Sequence, residues 1–121
     1  MCGIDLATNS TKRKGFNVIT KYSNTSDLDN PSTPQNEAIC WLLEEIDETD
    51  SIDELKIAQR YNLAVMYFST NGTQWGKKTK WIDHNEKHCD WHGVNCSNYD
   101  GIVSALDLSL NNLAGYIPTE V

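Results

Sequence analysis

Histidines and cysteines concentrate the chemistry this sequence could perform. His84, His88 and His92 recur every four residues, and Cys89 and Cys96 stand among and just beyond them. Imidazole nitrogens and thiolates are the ligands zinc prefers, so a His/Cys zinc-binding module is one reading of the cluster. Against it, Gly93 and the neighbouring Asp and Asn residues interrupt the helix that would align the histidines, and a Cys89–Cys96 bond would remove both thiolates. A cysteine nucleophile with a histidine base is formally present in Cys89 with His88 or His92. Adjacency alone supplies neither a third group to orient the base nor an oxyanion site. With no Gly-rich phosphate loop and no paired-carboxylate motif, the expectation is a non-enzymatic chain with no catalytic residue, cofactor or metal.

The cysteine count is even, with Cys2 and Cys40 completing the set, and four cysteines allow three full pairings. Cys89 and Cys96 are near enough in sequence to close a small ring around Trp91. Cys40 reads most simply as a small buried hydrophobe on a helix, because pairing with Cys2 would require the N-terminal stretch to fold back. Trp75, Trp81 and Trp91 could stack on a sugar, making a small carbohydrate-binding module a second reading, although tryptophans beside a disulfide more often serve a core. Sequons begin at Asn9, Asn24, Asn71 and Asn95, of which Asn71 and Asn95 are the glycosylation candidates in a secretory setting.

The elements that would position these groups can be read along the chain. A length of 121 residues with 39% hydrophobic content suits one modest core and argues against a two-domain enzyme. A net charge of −7 is a poor match for a phosphate backbone, so no nucleic-acid partner is expected. No run approaches the roughly 18 to 20 apolar residues that span a bilayer, and the first residues lack a secretory layout. Residues 1–33 are rich in Ser, Thr, Asn and Asp and are expected to form a disordered tail, with Lys12-Arg13-Lys14 simply solvated.

Thr33-Pro34 can open a helix whose apolar stripe runs through Ala38, Ile39, Leu42, Leu43 and Ile46, leaving Trp41, Glu44, Glu45 and Glu48 mostly off it and ending near Asp47 to Thr49. Ser51 and Glu54 have capping-box spacing for a second, antiparallel helix carrying Ile57, Tyr61, Ala64, Val65 and Phe68, with Asn71-Gly72 as its stop. From Thr73 to Asp100 no period persists, so an irregular loop pinned by Trp75, Trp81 and Trp91 is expected over a core that includes Tyr61 and Phe68. Beyond Gly101, a strand over Ala105 to Ser109 would turn Leu106 and Leu108 inward and Ala105, Asp107 and Ser109 outward. Asn111 would turn the chain, and Leu113 and Ile117 would return to the core.

Val103-Ser104-Ala105-Leu106-Asp107-Leu108-Ser109-Leu110-Asn111-Asn112-Leu113-Ala114-Gly115-Tyr116-Ile117-Pro118 resembles the plant-type leucine-rich repeat L-x-x-L-x-L-x-x-N-x-L-x-G-x-I-P, with Val103 in place of the first Leu. Cys89-Asp90-Trp91-His92-Gly93-Val94-Asn95-Cys96 resembles the C-x-W-x-G-V-x-C signature of the N-terminal cap in such proteins. The stretch from Gln59 through Gly72 to Trp75 and Trp81 is similar to the helical cap of diatom leucine-rich-repeat proteins. The resemblance covers residues 35–121, leaving out the disordered tail expected over 1–33, and implies an α+β architecture: a cap over 34–101 comprising two helices and a Trp-rich disulfide loop, and over 102–121 the first, incomplete coil of a solenoid. It further implies a Cys89–Cys96 bridge, a repeat core of Val103, Leu106, Leu108, Asn111, Leu113 and Ile117, and a ligand-facing set of Ala105, Asp107 and Ser109. The function implied is capping and recognition of a protein or peptide through a complete array, in an extracellular or cell-surface protein reaching a membrane only through a segment outside this chain. Because one coil cannot bury its apolar face alone, a fragment or an isolated cap is expected.

Overall fold

Four helices precede a two-stranded ribbon in the computed structural model, which describes residues 1–97 and 101–120. Helix α1 is Thr11–Ile19, α2 Thr25–Asp29, α3 Pro34–Glu45 and α4 Glu54–Ser69, and the strands are β1 Val94–Ser97 and β2 Ile102–Leu106. The class is therefore mixed α+β. Thr33 caps α3 by accepting from the Asn36 N–H at 3.0 Å, with Pro34 in the first turn, where its missing N–H is not needed. Helix α4 starts later than the Ser51/Glu54 spacing predicts. Its cap is Asp53, whose carboxylate accepts from the Lys56 N–H at 3.2 Å, while Ser51 stays exposed. An aspartate there satisfies an orphan donor and places negative charge at the positive end of the helix.

Residues 1–33 are not a tail. Ser10 and Asn24 cap α1 and α2 through their side chains, and Phe16, Val18, Ile19 and Leu28 are buried. Cys2 is bonded to Cys40, so the N-terminal stretch does fold back onto α3. The helix ends are clasped reciprocally. At the start of α1 the Thr11 N–H donates to a Glu48 carboxylate oxygen at 2.9 Å, and at the end of α3 the Lys12 ammonium donates to the carbonyls of Leu43 and Ile46. Each helix terminus thus meets the charge its dipole favours, and Lys12, expected to be solvated, is half-buried. Helix α3 stops at Glu45, short of the expected Asp47 to Thr49, because Ile46 turns extended where Lys12 takes the free carbonyls.

The Glu48 clasp carries a pH signature. Hydrogen bonds from Thr11 foremost, with Lys12 nearby, hold the Glu48 carboxyl below its ordinary value. A depressed folded-state value gives stability that is present above the unfolded-state value and lost as pH falls through the folded one. Glu48→Gln is therefore expected to lower the melting temperature at pH 7 and to leave it nearly unchanged at about pH 2, where both chains are neutral at this position. Parallel melting curves for the two chains across that range would refute the clasp.

The core forms where Ile39, Leu42 and Leu43 of α3 meet Tyr61, Ala64 and Val65 of α4, all nearly inaccessible. Trp41, expected off the apolar stripe, is buried as well. The loop after α4 covers the other side of α3, and the Trp41 indole N–H donates to the Ile82 carbonyl at 3.0 Å. Helix α3 is thus covered on two sides, which a single-stripe reading cannot anticipate.

β1 and β2 pair antiparallel, with Val94 opposite Leu106 and Ser97 opposite Ile102, and a bulge falls between Asn95 and Cys96. The strand is earlier than the expected Ala105 to Ser109. Past the Asp107 N–H, which reaches the Gly93 carbonyl at 2.8 Å, Asp107 bends the chain by accepting from the Ser109 N–H at 2.9 Å.

Candidate functional site

The segment between α4 and β1 is organised by its indoles. Trp75 and Trp81 meet edge to face with ring centroids 4.9 Å apart, Trp81 and Trp91 lie 4.9 Å apart, and Trp41 meets the edge of Trp91 at 5.8 Å. Tyr67 closes the row against Trp75 at 5.2 Å and also meets the half-buried Phe68. The Trp75 and Trp81 N–H groups donate to the carbonyls of Thr70 and His92. Trp91 is 1% exposed and its N–H has no partner, a desolvation cost that its stacking must offset. No indole presents an open face, so the row serves as core.

Buried Arg60 and Trp41 form a cluster with half-buried Glu45 that the sequence did not single out. The Arg60 guanidinium grips Glu45 with two hydrogen bonds, at 2.7 and 3.0 Å, and donates a third to the Asp83 carbonyl. Its central carbon lies 4.9 Å from the Trp41 ring and 5.0 Å from that of Trp91, so the cation sits in the corner that the two indoles make. Arg60 falls on the same helical face as Ile57, Tyr61 and Ala64, and that was the available signal, since a cation there demands a partner.

The three histidines do not converge. His84 stacks on Trp41 at 5.1 Å and pairs with Glu45 at 2.9 Å and Glu44 at 3.5 Å. His92 is half-buried beyond the loop. His88 is buried, with Nε2 2.7 Å from the Gly101 carbonyl. Burial pushes the His88 imidazolium down from its ordinary value, the Gly101 hydrogen bond opposes this, and the positive charges of Arg60 and Lys56 reinforce it. Cys89 is bonded to Cys96 across a Cα separation of 5.6 Å, so neither sulfur is a free thiolate in this state. Beside the bridge opens a cleft of about 570 Å³, bordered by Glu45, Lys56, Arg60, Lys87, His88 and Asp90.

Downstream of the bridge the expected repeat residues divide. Val103, Leu106 and Leu108 are half-buried against the core, while Ala105, Asp107 and Ser109 are exposed. Hydrogen bonds from Ser109 hold the Asp107 carboxyl below its ordinary value. Asn111 bonds to backbone, though not in its own turn: it accepts from the Lys77 N–H at 2.6 Å and donates to the Lys77 carbonyl at 2.9 Å, tying the segment to the Trp loop. Leu113 and Ile117 do not return to the core. They are 37% and 63% exposed, and Leu110 and Tyr116 nearby are exposed as well. The end of the segment is anchored by Glu120, which accepts from Ser23 and Gln35.

Two glycines of the quoted motifs are required by their surroundings. Gly93 has φ +82° and a Cβ there would meet the Asp107 carbonyl oxygen at 2.0 Å; Gly115 has φ +107° and a Cβ would meet the Ser69 carbonyl oxygen at 2.1 Å. Asn71 and Asn95 are both exposed. Among the described residues no helix is long and apolar enough to cross a membrane. Comparison with known proteins finds no family model, no curated protein and no solved structure that matches the chain.

Proposed function

We propose that this chain is a non-enzymatic capping module of a leucine-rich-repeat array, contributing to protein or peptide recognition outside the cell. The observation that carries the reading is the order of events after α4. A Trp-rich loop stapled by Cys89 and Cys96 passes into the β1–β2 ribbon, Leu106 of β2 and Leu108 just beyond it pack against the core, and Leu110, Leu113, Tyr116 and Ile117 are exposed. That is the asymmetry a cap requires, with one side closed by its own core and the other built to be covered. Ala105, Asp107 and Ser109 would begin the ligand-facing row, and the two disulfides are compatible with an oxidising compartment. The carbohydrate-binding alternative lacks an open indole face.

The test is a fusion of three consensus plant-type coils after residue 120. The fused protein is expected to melt higher than the chain alone, to bury Tyr116 against solvent quenchers and to be less prone to self-association. An unchanged melting temperature with Tyr116 still quenchable would defeat the proposal.

A further inference from the structure

We propose that reduction of the Cys89–Cys96 bridge converts its two sulfurs, together with the imidazole of His88, into a three-ligand site for a soft divalent cation of the zinc class. Among the described residues, the ligating atoms of His88, Cys89 and Cys96 all lie within 4.8 Å of one another. In a tetrahedral zinc site with Zn–S near 2.3 Å, two sulfurs sit roughly 3.8 Å apart, so a severed disulfide of ordinary length needs to open by only about 1.7 Å. The Cα separation of 5.6 Å leaves that opening to side-chain rotation. Cys96 stands on β1, which its ladder with β2 holds independently of the bridge.

In this site His88 would ligate through Nδ1, because Gly101 holds its Nε2. A carbonyl can only accept, so the 2.7 Å contact with Gly101 places the proton on Nε2 and leaves the lone pair on Nδ1. A hydrogen bond from the outer nitrogen is how ligating imidazoles are held. The fourth position faces the cleft of about 570 Å³, bordered by Glu86 and Asp90 and open to water. His84, engaged by Glu45, and His92 stand outside the set, so the metal chemistry uses one histidine of the three.

The redox balance is simple. A dithiol reductant supplies two electrons, the Cys89–Cys96 S–S bond breaks as the reductant closes its own disulfide, and each cysteine sulfur takes a proton. Binding the cation displaces both protons, and the two thiolates neutralise its charge while the imidazole stays neutral. Bridge and ion use the same sulfurs and exclude one another.

The experiment reduces the full chain with a dithiol, removes the reductant without air, and titrates with Co2+ alone, in wild type and in Cys2→Ser/Cys40→Ser. Expected is one Co2+ per chain in both, with thiolate-to-cobalt charge transfer and the visible bands of a tetrahedral site, displaced by Zn2+ and absent from the oxidised chain. His88→Ala is expected to weaken binding at least about tenfold and to shift the visible bands, while His84→Ala and His92→Ala bind as wild type does. A reduced chain that keeps its far-ultraviolet signal and takes up no Co2+, or a His88→Ala chain that binds as tightly as wild type, overturns the proposal. If reduction unfolds the chain, one equivalent of Zn2+ must restore the native signal, and failure to do so overturns it equally.

Discussion

Trp91→Ala is expected to destabilise the chain by about 3–5 kcal/mol, lowering the melting temperature by roughly 10–20 °C at this size. The ring is 1% exposed and joins the loop to the helices. It packs on Trp81 of the loop at 4.9 Å, meets Trp41 of α3 at 5.8 Å, and shares the Arg60 guanidinium with Trp41. Its removal opens a cavity in the loop and also strips one face from a cation whose buried position depends on that stacking. Trp91→Phe separates these contributions. Because the indole N–H has no acceptor, Phe gives up no hydrogen bond and relieves an orphaned donor, so it is expected to cost clearly less than Ala. Denaturant unfolding of the three proteins reads both differences. A loss below about 1 kcal/mol for Ala would mean that the Cys89–Cys96 staple holds the loop without aromatic packing, contrary to the geometry.

What the sequence disclosed and what it concealed divide along the range of the interactions involved. The α3–α4 pair rests on local periodicity with capping by Thr33, and the short Cys89–Cys96 bridge spans a separation of 7 residues; both are legible in the order of residues alone. The concealed features are long-range. Ser10 and Asn24 are good caps, yet scattered apolar residues such as Phe16, Val18, Ile19 and Leu28 in a polar stretch reveal nothing of α1 and α2 until α3 and α4 are there to receive them. Trp41 falls off the apolar stripe because a second cover, the Trp loop, arrives from 41 residues downstream to meet it at Ile82. The Arg60–Glu45 pair was only half legible: Arg60 on the apolar face of α4 asks for a partner, but nothing local in the sequence names Glu45 as that partner. The bounds of β2 differ from the expected ones by a few residues because they are defined by β1 opposite it, from Val94 to Ser97, and a bulge inside that pairing, between Asn95 and Cys96, breaks the alternation.

The strongest consequence of that long-range order concerns the bridge least evident in the sequence. Removing Cys2–Cys40 through a double Ser substitution is expected to destabilise the chain by roughly 4 kcal/mol, against roughly 2.5 kcal/mol for the same change at Cys89 and Cys96, because closure entropy grows with the loop. The sequence separations are 38 and 7 residues. The longer loop also contains the whole of α1 and α2, so the bridge raises the local concentration of Phe16, Ile19 and Leu28 at the surface they bury. Lys12 and Thr11 clasp the same helices without it, and the native contacts of residues 1–33 should therefore survive the substitution at 25 °C. Urea unfolding distinguishes two ways of losing stability. An unchanged dependence on urea with a lower midpoint means that the N-terminal helices stay docked, and the effect then lies in the denatured chain. A shallower dependence means that they have detached in the native state, which would show the clasp at Glu48 and Lys12 to be insufficient on its own. A double substitution at Cys2 and Cys40 that costs no more than the one at Cys89 and Cys96 would refute loop closure as the source of this bridge's contribution.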